Sequence, residues 1–196
     1  MTTTRTIDWT HELTDQLDWH WTHHLRPRLH DLSDAEYLWE PVKGCWSLRP
    51  RAAARTSVAG GAGDVVAEFE PGEPQPPPVT TIAWRMAHLS IGILGMRAAN
   101  HFGEGGVDYA TTEWSITAEG GLELLDRHYD AWLTGIQALD DEGLRRPCGP
   151  AEGPFAEYPM AALVLHINRE AIHHGSEICL LRDLYRNRDD YIGGTS

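Results

Sequence analysis

Histidines and glutamates crowd the C-terminal third of the chain. Between Tyr158 and Arg186, His166, Glu170, His173 or His174, and Glu177 stand three or four residues apart, and Leu181 continues the pattern. On a helix that spacing stacks imidazoles and carboxylates along one stripe. Leu163, Ile167, Ile178, Leu180, Leu181 and Leu184 surround the stripe with apolar side chains. Ligand-type groups turned toward a core lose their hydration, and metal binding is the commonest compensation. One helix offers two good ligands to an ion, so a third must come from elsewhere. His88, in an otherwise apolar seam, supplies it, and with Glu170 and His174 makes a set of two imidazoles and one carboxylate. His166 and Glu170 form an equally spaced pair one turn earlier. Three protein ligands and an open position describe catalytic zinc, and the same set suits nickel or iron. His166 or Glu177 would then orient a ligand or act as acid–base group. The plainer alternatives are a hydrogen-bonded core histidine at position 88 and ordinary contacts within the helix.

A second cluster, His20, His23 and His24, lies among Trp9, Trp19 and Trp21. It fits the mouth of the same pocket or a solvated helix face equally well. Arg85 and Arg169 are weaker candidates for gripping an anion. Trp39, Trp46 and Trp84 would wall a pocket for an apolar ligand.

The elements that must position these groups follow from periodicity. Residues 8–31 read as a helix capped by Asp8, with Pro27 kinking or ending it. Ser33 to Glu36 is a capping box opening one short turn. Trp46 to Pro50 and Val65 to Phe69 read as two strands of a small hairpin, with Gly60 to Asp64 as the turn between them. Pro71 to Pro78 leads out of this excursion, so 42–79 is a long crossover. A second helix begins after Pro78, with Thr80 or Thr81 as cap, and keeps Trp84, His88, Ile91, Gly95, Ala98 and Phe102 on one seam. A third spans about 118–139 with Leu122, Leu125, Tyr129, Trp132, Ile136 and Leu139 inward; 140–158 is a loop, and the last helix follows. The fold expected is all-α, a four-helix bundle with a β-hairpin in the crossover between its first two helices. One domain over 1–187 and a mobile tail over 188–196 complete it.

Bulk composition narrows the partners. The chain has 196 residues, 16 basic against 29 acidic, hence a net charge of −13. Such a surface repels phosphate backbones and anionic lipid, so neither nucleic acid nor a membrane is an expected partner. No apolar run has the length of a membrane span, and MTTTRTIDW lacks the apolar core of an export signal. Three scattered cysteines, Cys45, Cys148 and Cys179, argue against a disulfide framework and fit reduced thiols in the cytoplasm.

Three segments, LSDAEYLWEPVKGCWSLRP, PPPVTTIAWRMAHL and GPFAEYPMAALVLHINREAIHHGSEICLLRDLY, in that order and spacing, resemble the DinB-like (DinB/YfiT) superfamily. The actinobacterial branch of mycothiol-dependent S-transferases and maleylpyruvate isomerases is the most similar. The resemblance runs from about Asp8 to Arg186. It implies a four-helix bundle, often a homodimer, holding a divalent metal on three histidines. One comes from an Ala-His-Leu context, matched by Ala87-His88-Leu89. The others come from the first and last positions of an H-x-x-H-H stretch, here Glu170-Ala-Ile-His173-His174. Glu170 thus replaces a histidine, which favours a harder metal or weaker zinc binding, or marks a member without metal. The Arg-Gly-Gln that commonly follows is Gly175-Ser176-Glu177.

The function expected is metal-dependent transfer or hydrolysis involving a low-molecular-weight thiol such as mycothiol, with a small-molecule thiol or electrophile as substrate. The metal would lower the pKa of the thiol and present a thiolate. The alternatives are a non-catalytic ligand-binding bundle and a structural homodimer with a decayed site.

Overall fold

The computed structural model describes residues 6–72 and 74–189. The tail expected to be mobile lies outside the described residues from 190 onward. Four long helices dominate. The first, α1, covers 9–28 and starts where the Asp8 carboxylate accepts the His11 N–H. Its last turns widen over Trp21–Leu25, where Arg26 N donates to the Trp21 carbonyl. Pro27 follows at once, and having no N–H to give it cannot continue regular pairing; the helix ends at Arg28. Ser33 caps the short α2, Asp34–Tyr37, by accepting the Glu36 N–H, as its capping box requires.

The crossover holds three strands where two were expected. β1 (Leu48–Pro50) and β2 (Val58–Gly60) flank β3 (Val65–Phe69), both antiparallel to it, with Leu48 opposite Ala67 and Val58 opposite Phe69. The turn at Gly61 to Asp64 therefore joins β2 to β3, not the two strands read from the sequence. β2 escaped notice because three residues, Val-Ala-Gly, carry no alternation to detect. The sheet is anchored by Glu68, whose buried carboxylate accepts from Ser47 N at 3.0 Å, Arg49 Nε at 2.9 Å and Arg55 N at 2.7 Å. Trp84 Nε1 donates to the Glu68 carbonyl at 2.7 Å and fastens the sheet to the next helix.

That helix, α3, covers 82–102, with Thr81 as its cap. Its middle, His88–Gly95, is π-helical, and every residue from Leu89 to Gly95 is buried. The seam expected here holds Trp84, Ile91, Gly95 and Ala98 inward, and over Leu89–Gly95 burial extends to every face, as the nearly unbroken apolar sequence permits. α4, Ala118–Gln137, buries Leu125, Tyr129, Trp132 and Ile136 along the stripe its periodicity predicts. The connection after it contains a short α5, Asp141–Arg145, and a 3₁₀ turn over Pro150–Phe155. α6, Met160–Arg186, closes the order. Leu180, assigned to its apolar surround, is exposed.

α1 and α3 each pack against both α4 and α6. Their buried side chains join Tyr37 of α2, Leu48 of β1 and Ala67 of β3 in a continuous apolar cluster. No helix among the described residues is long and apolar enough to cross a membrane.

Candidate metal centre

α6 turns one stripe of side chains to the core: Leu163, Val164, Ile167, Ala171, His174 and Ile178. His174 is the one titratable imidazole on that stripe, 7 % exposed. Glu170 and Glu177 stand one turn to either side, at the stripe's edge. His174 Nδ1 shares a 2.7 Å hydrogen bond with Glu177 Oε2. Its Nε2 faces Glu170 Oε2 at 3.6 Å, too far for a hydrogen bond. From α3, the His88 ring meets that of His174 edge-on, with centroids 4.7 Å apart. The fold therefore sets His88 of α3 against His174 of α6, two helices far apart in sequence, with Glu170 one turn before His174.

His88 is fixed on both faces. Its ring stacks on Trp84 at 5.4 Å, and Nδ1 shares a 2.6 Å hydrogen bond with the Tyr109 hydroxyl. Burial, reinforced by His174, Arg85 and Arg97, pushes its pKa down to about 3, so the imidazole is neutral at physiological pH. Burial also raises the Tyr109 phenol, which keeps its proton. Tyr109 sits in the 103–117 loop, where no periodicity draws attention to it. Trp114 Nε1 holds that loop to the Gly60 carbonyl at 2.8 Å, and Ala62 N bonds the Thr112 carbonyl at 2.9 Å. One sequence signal did exist: Gly92, one turn after His88. A Cβ there would collide with the Tyr109 hydroxyl and stand 2.9 Å from His88 Nδ1.

Arg85, a weaker candidate for gripping an anion, also reaches this cluster. Rather than gripping a ligand, its guanidinium lies against Glu177, Nε to Oε2 3.0 Å, and Nη1 is 3.4 Å from His174 Nδ1. Burial would raise the Glu177 carboxyl, but the His174 hydrogen bond and the Arg85 charge prevail and hold it below the usual carboxylate range. A carboxylate so held is a poor base at neutral pH and a good anchor for an imidazole.

A group of three residues whose donor atoms all lie within 4.8 Å of one another is His173, His174 and Glu177. His173 is exposed, and Arg85 already places a cation against the other two, which opposes a second cation there. His166, half-exposed, has Nδ1 3.6 Å from Glu170 Oε1 and 2.7 Å from Arg169 Nη2. His20, His23 and His24 belong elsewhere. Trp19 packs on His23 and His24, and His20 and His24 line a groove with Cys179 and Leu180 between α1 and α6. Of the three tryptophans read as pocket walls, Trp46 and Trp84 meet at 5.5 Å, whereas Trp39 packs on Tyr185.

The donor set can be tested against the metal that such a site would take. A tetrahedral ion with bonds of about 2.0–2.2 Å separates its donors by roughly 3.3 Å. The 3.6 Å gap between His174 Nε2 and Glu170 Oε2 is close to that span. The Glu177 bond at Nδ1 is the kind of outer contact that orients a ligating histidine, so the Glu170–His174 pair suits two positions around a divalent cation.

Comparison with curated proteins and with solved structures gave no match. The family model of the DinB superfamily matches residues 16–178, which include His88, Glu170, His174 and Glu177. With the larger part of its length covered by that match, the chain belongs to the DinB superfamily.

Proposed function

We propose that this protein is a metal-dependent enzyme, a single-domain four-helix bundle in which His88, Glu170 and His174 hold a divalent cation. Zinc suits two imidazoles, and the carboxylate leaves room for nickel or iron. The observation that carries the reading is the state of His174: Nδ1 is taken by Glu177, which leaves Nε2 turned to Glu170 without a hydrogen bond, beside the neutral ring of His88. When bound, the metal supplies a Lewis acid that lowers the pKa of a thiol or water. The reaction proposed is transfer or hydrolysis with a low-molecular-weight thiol such as mycothiol.

The chain's own residues set the conditions. With Nδ1 of His88 hydrogen-bonded to the Tyr109 hydroxyl, Nε2 is the ring nitrogen that would hold the metal. Glu177, steadied by Arg85, occupies Nδ1 of His174, which favours the orienting role over the acid–base role among the two expected of it. His166, half-exposed beside Glu170, is the group placed to move a proton.

A second reading, metal on His173, His174 and Glu177, is favoured by the tight convergence of those donors. Metal content of untagged protein separates the two. Stoichiometric metal that is lost in His88→Ala and Glu170→Ala but kept in His173→Ala is expected. Loss in His173→Ala alone moves the site to the second group. Untagged protein that takes up no zinc, nickel or iron on dialysis would leave a bundle with a decayed centre.

A further inference from the structure

A cavity of about 760 Å³ opens beside this cluster, between α3, the 3₁₀ turn and the first turns of α6. It borders the centre through His166, which lines it and lies 3.6 Å from Glu170. Its walls combine two kinds of surface. Phe155 and Tyr158 stack on each other, centroids 5.7 Å apart and planes 25° apart, and both are more than half exposed. They present a flat apolar face with nothing packed on it among the described residues. Arg97 and Arg169 bring guanidinium groups from two different helices.

Neither cation is fully spent. The Arg97 Nη1 donates to the Gly92 carbonyl, but its Nε is buried without a hydrogen-bond partner, 3.7 Å from Glu152. Glu152, the one carboxylate in the lining, is already engaged by His101 Nε2 at 2.9 Å. Arg169 is mostly exposed, its Nη2 resting on His166 and its Nε 3.6 Å from Glu170. Each guanidinium stands 3.6–3.7 Å from a carboxylate, Arg97 from Glu152 and Arg169 from Glu170, beyond hydrogen-bond reach, so both keep N–H donors for a ligand anion. Guanidinium groups pair carboxylates in planar, two-pronged fashion, and flat apolar walls take flat apolar bodies.

We propose that this cavity is the substrate site and takes a small molecule with one carboxylate on a flat apolar body, the anion held by Arg97 and Arg169 and the body by Phe155 and Tyr158. The word substrate rests on the metal-centre reading; the binding itself does not.

The probes are 3-phenylpropionate and its uncharged amide, titrated calorimetrically into the full-length protein before and after chelator treatment. The acid should bind at least about tenfold more tightly than the amide, as a charge-assisted hydrogen bond implies. Arg169→Gln, an exposed position that folding tolerates, should cut acid binding about tenfold and leave the amide unchanged. Phe155→Ala with Tyr158→Ala should weaken both probes alike. Retention of this pattern in chelated protein upholds the cavity even where the metal reading fails. Equal affinity for acid and amide overturns it. So does acid binding that disappears with the metal and ignores Arg169→Gln, since the carboxylate would then ligate the ion itself, and the metal reading would survive.

Discussion

His88 shows how much a single imidazole depends on neighbours drawn from three parts of the chain. Trp84 on its own helix, Tyr109 from the following loop and His174 from α6 leave its ring no freedom to turn. The glycine at position 92 is a condition of that arrangement, since any larger residue displaces the phenol. Tyr109→Phe keeps the ring packing and removes the hydrogen bond, whereas Gly92→Ala pushes the whole ring away. Both should lower zinc affinity by about 10- to 100-fold, the usual effect of losing an outer partner of a ligating histidine. Competition with a chromophoric chelator reads this directly, and an unchanged affinity in both would remove Tyr109 from the centre. The Glu170–His174 pair and the isolated His88 were legible as candidates because helix spacing and a polar residue in an apolar run are local signals. Tyr109 and the Arg85–Glu177 pair were not, because loop residues and ion partners carry no period.

Between elements, the end of α6 is fastened by one buried ion pair. Arg182 Nε donates to Glu36 Oε1 at 2.8 Å, both side chains almost wholly buried, and Nη1 donates to the carbonyl of Arg28 at the end of α1. Glu36 was legible as part of a capping box, where its carboxylate would serve its own turn; instead it reaches a partner 146 positions away. The local rule placed the turn correctly and misassigned the side chain, because a buried guanidinium attracts a carboxylate more strongly than a solvated N–H does. Glu36→Gln should destabilise the fold by about 3–5 kcal/mol in urea denaturation, the cost of leaving a buried charge unpaired. Pairing Glu36→Leu with Arg182→Met should restore most of that loss. A loss below about 1 kcal/mol in the single variant would show that water reaches Arg182 and that the pair does not hold α6 in place.

For the molecule as a whole, the small sheet is the outer support of the centre. Glu68 gathers β1, β3 and the 51–57 connection, Trp84 ties that carboxylate's backbone to α3, and Phe69 packs on Tyr109 at 4.9 Å. Glu68→Ala removes bonds to two backbone N–H groups and to Arg49, and should cost about 3 kcal/mol. Tryptic cleavage after Arg51 or Arg55 should accelerate, and zinc affinity should fall with it; resistance equal to the wild type would make the sheet independent of the core. The amino-acid sequence alone determined the long helices, the caps at Asp8 and Ser33, the inward stripe of α4 and the family, since each rests on residues a turn or a motif apart, and it left the cap of α3 between Thr80 and Thr81. Only the tertiary structure decided that the middle of α3 is enclosed on every side, that a third strand completes the sheet, that Glu177 anchors His174 against Arg85, and that a two-arginine cavity opens at His166. Those features join groups with no fixed spacing along the chain, and their energies come from burial and charge pairing that exist only once distant segments have met.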